Sequence, residues 1–146
     1  MLVLTQRLAL ASDFVPDFIL ALSAEERARS RYILKTPDGR DISLNLPRGT
    51  ILQEGDLLTT DEQNSIVAIA ARSEPVMTVT AKESLDLLRA AYHLGNRHVK
   101  LEVTTTHLRL SPDSVLKSML IQLGLEVREE IAPFYPEVGA YGHQSG

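Results

Sequence analysis

Ala91-Tyr92-His93-Leu94-Gly95-Asn96-Arg97-His98-Val99 carries two of the chain's four histidines across the point where a helix gives way to a strand. Upstream, Leu85, Leu88 and Tyr92 fall on one face at the helical period, and Thr80-Ala81-Lys82-Glu83 has the spacing of a capping box. A helix is therefore expected from Ala81 to about Leu94, with Gly95 in the left-handed conformation that ends it. Downstream, Val99, Leu101 and Val103 alternate with Lys100 and Glu102 as a half-buried strand does. The two histidines are thus no helical metal pair. On one helix they would stand about 140° apart around the axis, the wrong geometry for a single ion. His93, in the last turn, is placed to satisfy the final carbonyls and complement the helix dipole. His98, beyond the break, is the one of the pair free to bind a metal, although a lone histidine with no carboxylate or histidine near it in sequence is more often structural.

Working outward, the second half alternates strands with helices. Val76–Val79 is expected as a strand before the helix, and a turn at Thr104–Thr106 leads to another around Leu108–Leu110. Ser111-Pro112-Asp113 is a helix start, with Ser111 as N-cap and Pro112 in the first helical position. Val115, Leu116, Met119, Leu120 and Leu123 would form that helix's buried stripe, Gly124 stops it, and Leu125–Val127 returns to a strand. The order β-α-β-β-α-β is that of a ferredoxin-like fold. From about Pro133 the chain has turn formers and no period, and an irregular tail is expected.

The first half has a different grammar. Arg31–Thr36 runs into the turn Pro37-Asp38-Gly39-Arg40, and Asp41–Leu46 alternates apolar and polar residues. Pro47-Arg48-Gly49 and Glu54-Gly55-Asp56 mark further turns, and Ser65–Ala71 gives another apolar run. Ser23–Ser30 is read as a charged connection, which leaves this half all-β. Ser73-Glu74-Pro75 is the expected hinge. The fold class is α+β, with an all-β domain over 1–74 and a ferredoxin-like domain over 75–146.

Composition narrows the function. With 44% hydrophobic residues in 146, the chain can bury a core. Phe14–Leu22 is interrupted by Pro16 and Asp17, so no apolar run approaches the roughly 20 residues of a membrane span. The apolar part of Met1–Arg7 is too short for a secretory signal, and a cytoplasmic location is expected. The absence of cysteine removes disulfides, thiolate nucleophiles and cysteine metal sites, so any metal is held by nitrogen and oxygen. A net charge of −4 and 5% aromatics give no footprint for nucleic acid. No nucleophile elbow, phosphate loop or carboxylate pair with a supporting histidine points to an enzyme.

Several fragments resemble one family. Leu4-Thr5-Gln6-Arg7-Leu8, Leu46-Pro47-Arg48-Gly49, Tyr92–Val99, Leu116 with Met119-Leu120, and the run from Pro133-Phe134 through Pro136-Glu137 to Gly139-Ala140-Tyr141 are similar, in the same order, to the UreE family of urease accessory proteins. The resemblance spans nearly the whole chain. It implies an N-terminal β domain reminiscent of peptide-binding modules and a C-terminal ferredoxin-like domain. It also implies a nickel metallochaperone that delivers Ni(II) to the urease apoprotein together with other accessory proteins, a GTPase among them.

In that family the second histidine of the Gly-Asn-Arg-His stretch, here His98, is the metal ligand at a homodimer interface. Two-fold symmetry would turn one histidine per chain into a facing pair. Imidazole suits Ni(II), Cu(II) and Zn(II), so Zn(II) and Cu(II) are expected to compete in vitro. Binding should weaken as pH falls through about 6.5, where a free imidazole takes up its proton. Members with further histidines before the second helix of the ferredoxin-like domain have a second site there. This chain has Ser111-Pro112-Asp113-Ser114 instead. In place of a histidine-rich tail it has His143 alone, which the resemblance makes a second candidate ligand. His107, beside three threonines, is read as a surface residue. The alternative is a metal-free assembly chaperone whose β half holds an extended peptide by strand addition.

Overall fold

The computed structural model describes residues 1–9 and 14–139, which divide into two units, 1–72 and 73–139. Among the described residues no helix is long and apolar enough to cross a membrane. Strands predominate in both units.

In the first unit, β1 (Leu2–Leu4), β5 (Asp41–Asn45) and β4 (Arg31–Lys35) form one sheet in that order. A second sheet runs β2 (Gln6–Arg7), β6 (Leu57–Thr59), β7 (Ile66–Ala71), β3 (Phe18–Leu22). The pairs β1/β5 and β3/β7 are parallel and the others antiparallel. The expected turn joins β4 to β5, with Gly39 at φ +90 and the Thr36 N–H donating to the Arg40 carbonyl. Alternation does what a half-buried strand requires: Ile42 and Leu44 enter the core while Asp41 and Asn45 face out. Leu4, Ile42 and Leu44 from one sheet and Leu20, Leu22, Leu58, Val67 and Ile69 from the other share a single core.

This unit is not all-β. Ala24–Arg27 forms a helical turn, α1, where a charged connection was expected. Its cause is a complete capping box: the Glu26 N–H donates to Ser23 Oγ at 3.2 Å and the Ser23 N–H to Glu26 Oε1 at 2.9 Å. Arg27 is buried, with its guanidinium donating to the Leu22 carbonyl. Burial pushes the Glu26 carboxyl up, but the Ser23 N–H, the Tyr32 hydroxyl and Arg72 outweigh it and hold the group below the ordinary carboxylate value.

The second unit runs β8 (Glu74–Thr80), α2 (Ser84–Asn96), β9 (Glu102–Val103), β10 (Leu108–Leu110), α3 (Ser114–Gln122) and β11 (Glu126–Ala132). Its sheet is antiparallel throughout, in the order β11-β8-β10-β9. Met77, Val79, Leu108 and Leu110 form one core with Leu87, Ala90 and Leu94 of α2 and Leu120 of α3. The row Glu102, Arg109, Thr78, Arg128 runs across all four strands in register. Glu74 and Pro75 of the expected hinge already belong to β8.

Both helices of this unit begin later than the sequence suggests. Thr80 pairs with Glu126 in the sheet, so it is not the cap of α2; Glu83 takes the N-cap position without a side-chain hydrogen bond. Asp113, not Ser111, caps α3, accepting the Leu116 N–H at 2.9 Å. A carboxylate is the better cap because its charge also complements the helix dipole. The buried stripes shift too. Leu85, Leu88 and Tyr92 of α2 are 52%, 67% and 66% exposed, and Val115 and Leu123 near the ends of α3 are also exposed. The strand expected from Val99 is confined to Glu102–Val103. Over 133–139 the chain is irregular but anchored: Phe134 is buried and the Glu137 N–H donates to the Leu101 carbonyl at 2.8 Å.

Candidate metal centre

Helix α2 runs through Gly95 and ends at Asn96, with Arg97 as C-cap. The residue with left-handed backbone is His98, at φ +57. Its N–H donates to the Gly95 carbonyl at 3.0 Å, and the Val99 N–H donates to the Leu94 carbonyl at 3.3 Å. These two bonds make a Schellman motif with His98 in the position usually held by glycine. Leu94 and Val99 both pack in the core and complete its hydrophobic contact.

Helix α3 ends in the same way. There Gly124 stands at φ +88, its N–H donating to the Ile121 carbonyl and the Leu125 N–H to the Leu120 carbonyl, both at 3.0 Å. The glycine expected to end α2 therefore lies inside that helix, and a histidine takes the strained place. Left-handed backbone costs an L-residue about 1–2 kcal/mol, somewhat less for histidine than for a branched side chain.

His98 is exposed beyond this turn. His93 is half-buried one turn earlier, its ring meeting the edge of Tyr92 at 5.5 Å between centroids. The carbonyls His93 was expected to satisfy are met by backbone N–H groups at the Schellman turn, and the His93 carbonyl itself accepts from the Arg97 guanidinium. His143 lies outside the described residues. Among the described residues no group of three or more histidines, cysteines or carboxylates could hold a metal ion. His98 thus offers one exposed imidazole, a quarter or less of a four- to six-coordinate sphere.

His107 is not the bare surface residue expected. Its Nε2 lies 3.2 Å from Glu102 Oε2 and its Nδ1 3.1 Å from the Thr106 hydroxyl. Glu102 is only 5% exposed, and Arg109 approaches the same oxygen at 3.6 Å. Arg109 also donates to the Thr78 hydroxyl and pairs with Glu130. A hydrogen bond from the Thr78 hydroxyl, helped by Arg109 and Arg128, holds the Glu130 carboxyl below its ordinary value. The signal for this cluster was the hairpin itself, whose register sets Glu102 opposite Arg109.

Residues 5–71 match the family described as UreE urease accessory protein, N-terminal domain, and residues 74–146 match its C-terminal domain. The chain belongs to the UreE family. Among UreE relatives, the urease accessory protein UreE of a Nostoc species is 54% identical over 143 residues, spanning 98% of this chain and 97% of its own length. Those of Nostoc punctiforme and Thermosynechococcus vestitus are 56% and 49% identical over 142 and 141 residues, each spanning 97% of this chain and 96% and 98% of their own length. UreE proteins are accessory proteins of urease maturation, not enzymes.

Proposed function

We propose that this UreE protein is a nickel metallochaperone, a cytoplasmic homodimer in which His98 of each chain supplies an imidazole to one shared Ni(II) cargo. It would hand that ion to the urease apoprotein with the other accessory proteins, a GTPase among them. The observation that carries this reading is the backbone of His98. A glycine serves the turn after α3, yet the equivalent turn after α2 keeps a side chain at a position where a side chain costs stability. Strain retained on an exposed residue points to a role for that residue outside folding.

Further support lies on α2. Leu85, Leu88 and Tyr92 form an exposed apolar stripe, and Gly95 continues it at the helical spacing toward His98. A glycine inside a helix costs about 1 kcal/mol against alanine. Nothing among the described residues demands it, because a Cβ there would meet no atom within 4 Å. Close approach of a second α2 would use both features and bring two His98 residues together. Two imidazoles leave coordination positions open, which suits a carrier that must release its ion. His143 would add a ligand from the tail, and Zn(II) or Cu(II) could occupy the same donors in vitro. The strand order β11-β8-β10-β9, with α2 and α3 as crossovers, supports a ferredoxin-like second unit.

Calorimetric titration with Ni(II) tests the proposal. Wild type is expected to take up about one ion per two chains at the symmetric site, and His98→Ala to lose it. Unchanged affinity and stoichiometry in His98→Ala would overturn the metal-carrier reading.

A further inference from the structure

Strand β11 is an open edge of the second unit's sheet. It pairs with β8 alone, and among the described residues no backbone hydrogen bond leaves its outer side. The opposite edge, β9, is only 2 residues long, whereas β11 has 7. A strand of that length with its outer N–H and C=O groups unpaired is a template for another strand. Charged side chains ordinarily guard such an edge. Here the order Glu126-Val127-Arg128-Glu129-Glu130-Ile131-Ala132 is one that a second copy of itself complements.

The pleat sorts these residues between two faces. Val127, Glu129 and Ile131 share the helix side, where Val127 packs against the core and Lys117 of α3 donates to Glu129 at 2.9 Å. Arg128 and Glu130 share the other side, where Glu130 meets Thr78 and Arg109. Two β11 strands related by a two-fold axis normal to the sheet run antiparallel, so one residue must face its own counterpart. Centred on Arg128, the pairing sets Glu126 against Glu130 and Arg128 against itself. Centred on Glu130, it leaves Arg128 against Ala132 and Glu129 against Ile131. Only a centre at Glu129 engages the whole strand. That register places each Arg128 opposite a Glu130 and each Val127 opposite an Ile131, a side chain 67% exposed in the single chain. The like charges left at the axis are the two Glu129 carboxylates, and each already has its own Lys117.

We propose that β11 is a self-association edge: two copies of the chain pair antiparallel along it, centred on Glu129, and their sheets become one. The contact does not rest on the nickel reading and uses none of the α2 stripe, so pairs formed through α2 can be linked through β11. One strand per partner falls well short of the roughly 20–30 residues a side of a standard interface. The contact is therefore weak. It fills in concentrated protein and leaves dilute protein to the α2 contact alone.

The chain has no cysteine, so a single introduced thiol reports the register. Across the axis Glu129→Cys brings two Cβ atoms to about 4.5–5.5 Å, which a small adjustment closes to a disulfide. Glu126→Cys is also exposed, but six residues of offset hold its two thiols about 20 Å apart. In a glutathione redox buffer at high protein concentration, the intermolecular disulfide of Glu129→Cys is expected to be favoured about tenfold or more over that of Glu126→Cys. Adding Arg128→Glu sets like charges opposite each other in both symmetric pairs and should weaken the Glu129→Cys disulfide about tenfold.

Sedimentation equilibrium on the wild-type chain, with thermal unfolding to show that every variant is folded, completes the test. The mass is expected to rise with concentration beyond that of the dilute protein, and Arg128→Glu to remove the rise. Equal disulfide formation by the two thiols, or a wild-type mass constant up to the solubility limit, overturns the edge contact. A favoured Glu129→Cys disulfide that Arg128→Glu leaves unchanged overturns the register, and the proposal with it.

Discussion

At the scale of the residue, His98 shows how backbone and side chain can be selected for different ends. Its φ of +57 suits glycine better, so replacing it separates folding from function. In the metal-free protein His98→Gly relieves left-handed strain but adds freedom to the unfolded chain. The balance should favour the fold by about 0.5–1 kcal/mol, or roughly 2–6 °C in Tm. His98→Ala keeps the strain and should not gain. Both should lose nickel. A His98→Gly protein less stable than wild type by thermal scanning would show that the ring itself supports the fold. The sequence made His98 legible through the Gly-Asn-Arg-His stretch but misassigned the turn. Glycine's preference for left-handed backbone is only statistical, and here the hydrogen-bond register of the Schellman motif puts that conformation three residues later.

At the scale of the element, α2 carries two apolar stripes at the same spacing. Leu87, Ala90 and Leu94 are buried, and Leu85, Leu88 and Tyr92 are not. Periodicity revealed that a helix exists and could not choose between faces two residues out of phase, since both satisfy the helical repeat. That ambiguity is itself informative, because a helix apolar on two sides has two surfaces to cover. Leu94→Ala, in the core, should cost about 2–5 kcal/mol in chemical denaturation. Leu88→Glu should leave the circular dichroism spectrum of the folded chain intact and shift sedimentation from dimer to monomer, with nickel uptake falling in parallel. An unaltered dimer in Leu88→Glu would mean that two copies meet elsewhere. The cap positions were also misplaced in sequence, by two residues at α3 and three at α2. Thr80 and Ser111 look like caps until the sheet claims one and the Asp113 carboxylate the other.

At the scale of the whole molecule, the change of grammar near residue 74 reflects two separate cores. Leu4, Leu44, Leu58 and Ile69 share one, and Met77, Leu94, Leu108 and Leu120 the other. Strand alternation and βα alternation were visible because each unit buries its own apolar pattern. The strap at 133–139 was not, because it is fastened by contacts between residues more than thirty apart that carry no local period. A unit with its own core can in principle fold alone, although about 70 residues bury only about 60% of their unfolded surface and stability will be marginal. The fragment 73–146 contains His98 and His143, the proposed ligands, and the α2 stripe of the proposed interface. It is therefore expected to dimerise and to bind Ni(II) with the stoichiometry of the full chain, while the fragment 1–72 binds none. Calorimetry on the two fragments, with circular dichroism to establish that each is folded, measures this directly. If folded 73–146 bound no nickel and the full chain did, the first unit would have to supply a ligand, and the site would not be the symmetric His98 pair.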